Sequence, residues 1–365
     1  MKVIIPKQIL KGQLLTKKSK KPFNLYGVIR ENEGLIHIFS ISQNDTNLPL
    51  IGQISNDKNE IPDNLKLKGI IKKNLVFYYE DDGKRQKIKH LIIDLNDSLK
   101  RMPFPQKLMK IFKNASVVIF GLGTGGSRLA VGLARSGVSN FKLIDPDLLS
   151  IENISRHECD LLDLNRFKVH AVKDKILRVN PFANVRTFNF DVFKKPSILD
   201  DIFRNSNLVI GATDKTSVQL MINYESYQRG ITALFGGCYE EAKGGEIMFI
   251  IPGKTIACLE CWEGGRTCPK KLGKIDYSNA TGPEDYKGEP GLNAAINLIT
   301  DVAEQYAIAL LLRNEDCEMA KLIDPKRNLL LIGGALGKGY YLFEKPFHFI
   351  LPILKGPWAK CGTCQ

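Results

Sequence analysis

The sequence has no uninterrupted apolar run of the roughly 18 to 20 residues that a helix needs to cross a bilayer. Its N-terminus, MKVIIPKQILKGQ, also lacks the apolar core and the small-residue cleavage site of a secretory signal. No internal repeat and no low-complexity segment interrupts it. These absences predict a cytoplasmic globular protein that does not associate with a membrane.

In the N-terminal third, basic residues outnumber acidic residues two to one. Residues 1–113 contain 22 Lys and Arg against 11 Asp and Glu, so they carry +11 of the formal net charge of +13. A basic surface can bind nucleic acid, but this third has no zinc-finger spacing with histidines and no aromatic RNA-binding signature. A solvated, lysine-rich surface is therefore the preferred interpretation, and a nucleic-acid partner is not expected.

The patterning changes near residue 100. Residues 1–100 contain short β-type runs, such as 35–41 and 75–79, separated by polar turns, and predict a small β-rich accessory domain of unknown role. Residues 101–365 alternate strands with helices, with strands predicted at 117–120, 141–144, 208–212, 231–235 and 246–251 and helices at 167–179 and 292–313. That alternation predicts an α/β, Rossmann-like domain with a mainly parallel sheet.

Residues 117–145 combine an apolar strand, a glycine turn, a helical segment and a second strand that ends in an acid. Gly121, Gly123 and Gly126 form a GxGxxG turn, whose missing side chains allow backbone N–H groups at a helix start to approach phosphates. Asp145 ends the second strand, where an acid accepts hydrogen bonds from ribose hydroxyls. The segment predicts a nucleotide site, with NAD and ATP as the alternatives.

The sequence continues DPDLLSIENISRHECDLLDLNRFKVHA, and this passage resembles the ThiF/MoeB/HesA family of ubiquitin-activating-like enzymes. The resemblance covers residues 101–365. The family's glycine turn matches GLGTGG, its strand-end acid matches Asp145, and its N-x-x-R element matches Asn153 and Arg156. Its lysine matches Lys168, and its Thr-Asp pair places the acid at Asp214.

The resemblance implies that ATP adenylates a C-terminal carboxylate, usually that of a ubiquitin-like or sulfur-carrier protein, and that the enzyme is a homodimer. The family's arginine upstream of the first strand has no clean match here, and Arg101 is the nearest candidate. Family members that activate short peptides carry an N-terminal extension that clamps the peptide. A ribosomally made peptide, with residues 1–100 as its clamp, is therefore an alternative substrate.

The matched residues suit this chemistry. Attack on the α-phosphorus builds negative charge on the phosphate oxygens and on pyrophosphate, which the guanidinium of Arg156 and the ammonium of Lys168 would stabilise. Asp214 would hold Mg²⁺ through hard oxygen ligation, and Asn153 would orient a phosphate or the carboxylate. Asp147 is a secondary candidate. Taken singly, each of these residues except Asp145 is better explained by a surface, turn or capping role; their joint order favours the functional interpretation.

Two C-x-x-C pairs, Cys258 with Cys261 and Cys361 with Cys364, predict a structural Cys₄ zinc site. A redox-active pair is less favoured because neither pair is expected to open a helix in a thioredoxin-like unit. Cys268 lies in the basic loop GGRTCPKKLGK and is a candidate nucleophile for a thioester step, with an exposed thiol of no catalytic role as an equally favoured alternative. Cys159 and Cys238 are predicted to be packed residues.

Two further alternatives remain open at this point. A nicotinamide-dependent oxidoreductase would use the same glycine turn and Asp145 but needs no Arg156, Lys168 and Asp214 set for a triphosphate. A non-catalytic binding module could keep the fold, although it would have no reason to keep those three residues. ATP–pyrophosphate exchange separates the adenylating enzyme from both.

Overall fold

The computed structural model describes residues 1–7, 22–42, 49–55, 61–62, 64–71, 75–81, 83–264, 290–334, 344–354 and 356–364. Within these residues the chain divides into two compact units, Met1–Met102 and Pro103–Gln365. Each unit has its own hydrophobic core.

The N-terminal unit is a closed β-barrel in the strand order β1-β3-β2-β4-β5-β6-β7. Strand β1 closes it by pairing in parallel with both β3 and β7. Fully buried aliphatic and aromatic side chains such as Ile5, Ile36 and Phe77 fill the interior. The strands are β1 Lys2–Pro6, β2 Phe23–Arg30, β3 Leu35–Ser42, β4 Leu50–Ser55, β5 Leu67–Ile71, β6 Leu75–Asp81 and β7 Lys84–Ile93.

The C-terminal unit is built on an eight-stranded sheet in the order β10-β9-β8-β11-β12-β13-β14-β15. The first five strands in this order are parallel, as the sequence predicts. The strands are β8 Ser116–Phe120, β9 Asn140–Ile144, β10 Asn184–Phe188, β11 Leu208–Gly211, β12 Ala233–Cys238, β13 Gly244–Ile250, β14 Leu329–Gly333 and β15 His348–Ile350.

The last three strands are antiparallel, which the sequence reading did not predict. Residues 239–243 link β12 to β13, and a connection that short permits a hairpin but no crossover to a parallel partner. The sheet is therefore mixed, with a parallel half that can carry a nucleotide and an antiparallel extension.

Helices cover both faces of this sheet. In β8, Val117 and Ile119 face one buried cluster, whereas Val118 and Phe120 face the other, which explains why the strand is apolar throughout. Helices α2, α3 and α7 pack into the first cluster, and α4, α5 and α6 into the second. The helices are α1 Gln106–Asn114, α2 Thr124–Arg135, α3 Lys168–Val179, α4 Leu199–Phe203, α5 Thr216–Gln228, α6 Leu259–Gly264 and α7 Asn293–Leu312.

The sequence has no uninterrupted apolar run of membrane-spanning length, yet helix α7 is long and apolar enough to pass a test of length and mean hydropathy. Its 20 residues have a mean hydropathy of 1.3 over the most apolar window, enough for a membrane span by length and composition. However, 56% of that window is buried inside the fold, where Ile299, Ala303 and Leu310 pack into the first cluster. The helix is so apolar because it is a core helix between α2 and the sheet.

A partly buried acid, Glu304, lies where α7 packs on α2. Glu304 approaches Gly132 so closely that a Cβ at that position would lie 2.0 Å from the carboxylate. Ser136 Oγ donates to Glu304 Oε1 at 3.4 Å. Burial, with a smaller contribution from the charge of Asp301, raises the pKa of Glu304 to about 7.

This raised pKa predicts a pH-dependent stability. Between about pH 4.5 and pH 7 the unfolded chain ionises Glu304 while the folded chain keeps it protonated, so the free energy of unfolding falls as pH rises. Glu304→Gln is expected to remove that fall and to raise the melting temperature above about pH 7. Thermal denaturation across pH checks this, with the exposed Glu318→Gln as control; an unchanged pH profile for Glu304→Gln contradicts it.

Candidate nucleotide site

A cavity of about 510 Å³ lies at the carboxyl ends of the parallel strands, where open α/β sheets bind ligands. Its wall is formed by the glycine turn, by the loops after β9, β11 and β12, and by the first half of α7. The structure brings most of the sequence-predicted nucleotide residues into this one wall: Gly121, Gly123, Asp145, Asn153, Arg156, Lys168 and Asp214.

The three glycines of the turn have separate reasons to be glycine. Gly121 has a φ of +84°, and a Cβ there would lie 2.6 Å from the Ala212 carbonyl oxygen. At Gly126 a Cβ would lie 1.9 Å from the Gly121 carbonyl oxygen, so this residue lets α2 pack against the turn. Gly123 would meet nothing within 4 Å, and it precedes α2, whose N-terminus no side chain caps. Its open side is where a phosphate can reach the helix N–H groups.

These differences predict that one alanine substitution weakens ATP binding and that the other lowers stability. Gly123→Ala, at a φ of −69°, is expected to fold normally but to weaken ATP binding about tenfold or more, because the methyl group points into the phosphate space. Gly126→Ala is expected to lower the melting temperature, because its methyl group meets backbone. Calorimetry with ATP and thermal denaturation separate the two, and equal ATP affinity for wild type and Gly123→Ala contradicts the assignment.

Asp145 is buried, and its carboxylate supports the turn. Oδ2 accepts from the Leu122 N–H at 2.6 Å, and Oδ1 accepts from the Asp147 N–H at 2.9 Å. Burial raises the pKa of Asp145, while Lys168 and the two N–H donors oppose the rise. Each oxygen keeps a further lone pair, so the predicted contact with ribose hydroxyls remains compatible with these hydrogen bonds.

Lys168 is the first residue of α3 and is largely buried. Its Nζ lies 3.0 Å from Asp147 Oδ2. The Asp147 side chain is 55% exposed, so this pair lies at the cavity surface rather than inside the core. Asp147, which the sequence suggested only as a secondary candidate, therefore orients the predicted phosphate-binding lysine.

Asn153 and Arg156 lie on the loop between β9 and α3. Asn153 Oδ1 accepts from the Ser150 N–H and hydroxyl, both at 3.2 Å, which leaves the NH₂ as the donor suited to phosphate or carboxylate oxygens. Arg156 lines the cavity, with Nη1 3.5 Å from the position that a Cβ on Gly291 would take. The guanidinium therefore lies close to the backbone at Gly291.

Asp214 follows the end of β11 and is exposed at the cavity wall. Gln219 Nε2 donates at 2.6 Å to the carbonyl of Thr213, the residue before Asp214, and this hydrogen bond fixes the loop that carries Asp214. A carboxylate at the end of a parallel strand and beside a phosphate cradle has the hard oxygen donors that Mg²⁺ prefers.

His157, which the sequence analysis missed, does not line the cavity but hydrogen-bonds to the glycine turn. Its Nδ1 accepts from the Cys159 N–H at 3.0 Å, so the proton is on Nε2, which donates to the Leu122 carbonyl at 2.7 Å. Burial lowers the pKa of His157 to about 4, and the imidazole is neutral near pH 7. Only its position next to Arg156 in the sequence could have suggested it.

The four cysteines of the two C-x-x-C pairs gather into one cluster, with all four sulfurs within 4.8 Å of one another. Neighbouring Sγ atoms are 3.4 to 3.7 Å apart. A tetrahedral zinc with bonds of about 2.3 Å needs sulfurs about 3.8 Å apart, so Cys258, Cys261, Cys361 and Cys364 fit this metal. A zinc ion held by four thiolates would have no open coordination position, which is the arrangement typical of structural zinc sites.

One C-x-x-C pair does lie at the start of a helix, because Cys258 directly precedes the six-residue helix α6 and Cys261 lies within it. This helix follows β13, which pairs antiparallel with both of its neighbours, so it does not belong to a thioredoxin-like βαβ unit. A short helix forms there because Leu259 and Cys261 are buried in the second cluster. The convergence of all four sulfurs, rather than the absence of a helix, is what favours a metal.

The residues around this cluster attach the C-terminal segment to α5 and α6. Glu260 accepts from the Thr363 hydroxyl at 2.6 Å and from the Gly362 N–H at 3.1 Å. Asn223 of α5 donates to the same Thr363 hydroxyl at 3.2 Å and accepts from the Leu259 N–H at 3.2 Å. These hydrogen bonds hold the ligand-bearing loops in place.

The remaining cysteines differ in their surroundings. Cys159 is buried, and burial raises the pKa of its thiol to about 12, as expected of a packed residue. Cys238 packs partly against the first cluster but also lines the cavity, which the sequence analysis did not foresee. The candidate nucleophile Cys268 lies outside the described residues.

A model described as the ThiF family matches residues 96–329. The chain is 28% identical over 197 residues to ubiquitin-like modifier-activating enzyme 5 of Caenorhabditis elegans, covering 48% of this chain and 46% of that protein. It is 29% identical over 154 residues to the probable adenylyltransferase/sulfurtransferase MoeZ of Mycobacterium tuberculosis, covering 41% of this chain and 36% of MoeZ. The chain thus matches about half, or less, of the length of these relatives.

Solved structures of E. coli MccB share the fold. The complex with AMPCPP and selenomethionine MccA has a TM-score of 0.52 and 18% identity, covering 71% of this chain and 69% of MccB. The complex with MccA-N7isoASN has a TM-score of 0.52 and 15% identity, covering 82% of this chain and 98% of MccB. Because the family model matches more than half of its residues, this chain belongs to the ThiF family.

Proposed function

We propose that this chain uses ATP to adenylate the C-terminal carboxylate of a ubiquitin-like or sulfur-carrier protein. The observation that carries the proposal is the joint presence of an open glycine turn, Arg156, Lys168 and Asp214 in one cavity. Relatives named as a ubiquitin-like modifier-activating enzyme and as an adenylyltransferase/sulfurtransferase support this substrate class.

The reaction forms one bond and breaks one. A carboxylate oxygen of the substrate bonds to the α-phosphorus of ATP, the α–β anhydride bond breaks, and pyrophosphate leaves. Negative charge grows on the α-phosphate oxygens and on the leaving group. Arg156 and Lys168 would stabilise that charge from fixed positions, which is how preorganised electrostatics lowers a barrier.

The other cavity residues would bind and orient. The N–H groups at the start of α2 would bind phosphate oxygens beside Gly123, and Asp145 would accept from the ribose. Asp214 would hold Mg²⁺, which supplies positive charge to the phosphates when bound. The cysteine cluster would hold zinc away from this chemistry, with a purely structural role.

ATP–[³²P]pyrophosphate exchange tests the proposal. A panel of recombinant ubiquitin-like and sulfur-carrier proteins is assayed with the free C-terminal carboxylate and with the same terminus amidated. Exchange supported by a free terminus but not by its amide is the expected result. Exchange that is equally fast in wild type, Arg156→Ala and Asp214→Ala contradicts the site assignment.

A ribosomally made peptide is the second candidate substrate. The alignment with MccB bound to MccA-N7isoASN covers 82% of this chain, more than the C-terminal unit alone contributes, so it extends into the N-terminal barrel unit. The barrel would then act as the peptide clamp. Short peptides and folded carrier proteins compared side by side in the exchange assay decide between the two candidates.

An oxidoreductase is the alternative from another reaction class. Calorimetric titration with NAD and with ATP distinguishes it, because the cavity cations Arg156 and Lys168 suit a triphosphate rather than the positively charged nicotinamide ring of NAD⁺. Tight NAD binding without ATP binding would replace the proposed function.

We also propose that the enzyme is a cytoplasmic homodimer, as the family resemblance implies. Sedimentation velocity of the purified chain tests the assembly. A dimer that persists at assay concentrations is the expected result, whereas a monomer with full exchange activity contradicts it.

A further inference from the structure

Leu122, between Gly121 and Gly123, is fixed through its side chain, its N–H and its carbonyl. Its side chain is fully buried in the first cluster. Its N–H donates to Asp145 Oδ2 at 2.6 Å, and its carbonyl accepts from His157 Nε2 at 2.7 Å. The phosphate-binding turn therefore has its conformation fixed by two side chains from elsewhere in the chain.

The second of these side chains connects two parts of the site. The opposite ring nitrogen of His157 accepts from the Cys159 N–H, so one imidazole joins the glycine turn to the loop of residues 153–159. That loop carries Asn153 and Arg156, and Arg156 is bonded directly to His157. The imidazole thus links the glycine turn to the loop that carries the guanidinium.

We propose that His157 is a positioning residue that locks the glycine turn and Arg156 into the spacing needed to act on one nucleotide. The role in catalysis rests on the proposed function, but the role in ATP binding does not require any carboxylate substrate. Loss of the His157 hydrogen bond leaves the Leu122 carbonyl without its partner and frees the turn to shift. Both the affinity for ATP and the rate of the chemical step then fall.

Two neutral amides test this bond. Glutamine at 157 places an N–H donor at about the reach of Nε2, whereas asparagine keeps an acceptor near the Cys159 N–H but is too short to reach Leu122. His157→Asn is expected to raise the Kd for ATP about tenfold and to lower the maximal exchange rate about tenfold. His157→Gln is expected to stay within about twofold of wild type in both measurements.

The control is His170→Ala, which removes an exposed histidine on the neighbouring helix α3. If His157 has only a structural role, His157→Asn lowers the melting temperature but leaves the Kd for ATP and the rate of ATP–pyrophosphate exchange of the folded enzyme unchanged. That result would overturn the proposal. Equal defects in His157→Asn and His157→Gln would also overturn it, since the hydrogen bond would then not be the cause.

Hydrogen exchange of the peptide spanning residues 117–128, measured without nucleotide, examines the turn directly. Faster exchange in His157→Asn than in wild type and in His157→Gln is expected, and equal rates contradict the lock. If His157→Asn weakens ATP binding but the enzyme adenylates no carboxylate, only the proposed function is refuted.

If His157→Asn has the wild-type rate of ATP–pyrophosphate exchange, only the positioning role is refuted.

Discussion

Replacing Arg156 with alanine is expected to lower the rate of ATP–pyrophosphate exchange by about 100- to 1,000-fold, the usual effect of removing one fixed group that stabilises transition-state charge. Arg156 lines the cavity beside the glycine turn and Lys168. Its guanidinium would meet charge that develops mainly as the α–β anhydride bond breaks. The maximal rate should therefore fall more than the affinity for ATP.

Arg178→Ala is the matched control, because Arg178 is an exposed arginine in the last turn of α3 and does not line the cavity. It should leave exchange within about twofold of wild type. Arg156→Lys, which keeps the charge but loses the planar fork, should give an intermediate rate. A loss of ATP affinity with an unchanged maximal rate would contradict transition-state stabilisation by Arg156.

Replacing Cys361 with serine is expected to eliminate the bound zinc and to lower the melting temperature by about 10 °C, since a structural metal contributes its binding energy to folding. Cys361 is buried within the cluster, and its neighbours Gly362 and Thr363 hold the C-terminal segment to Glu260. Metal analysis by mass spectrometry and thermal denaturation measure the two effects.

Cys317→Ser is the control, because Cys317 is a free cysteine packed against the first cluster and outside the four-sulfur cluster. It should keep about one zinc per chain. A wild-type protein that contains no zinc after purification, and whose melting temperature does not change when a chelator is added, would contradict a structural role for the metal. Disulfides that form within the two pairs on oxidation and are reversibly reduced, in protein that binds no zinc, would favour the redox alternative instead.

The glycine turn and the residues around it could be predicted because their signals are local or ordered along the chain. Gly121, Gly123 and Gly126 directly follow an apolar strand, and the structure places a strand, a turn and α2 there. Asn153, Arg156, Lys168 and Asp214 follow at family spacing, and the parallel topology brings them to one edge of the sheet. Their individual roles stay predictions.

Other features depend on contacts that the sequence does not display. His157 and Leu122 are far apart in the chain, and only the folded loop joins the imidazole to the turn. The antiparallel extension depends on where β14 and β15 pair, and short apolar runs carry no signal for the direction of pairing. The apolar sequence of α7 fits both a membrane span and a core helix, and only its burial inside the fold identifies it as a core helix.

Isotope transfer reports whether the substrate carboxylate attacks the α-phosphorus of ATP. A substrate from the exchange panel that carries ¹⁸O in both oxygens of its C-terminal carboxylate is turned over with ATP, and the released nucleotide is analysed by mass spectrometry. We expect AMP with one ¹⁸O, because the oxygen that attacks phosphorus stays with AMP when the acyl group is transferred. Unlabelled AMP, or ADP with labelled phosphate, would contradict it.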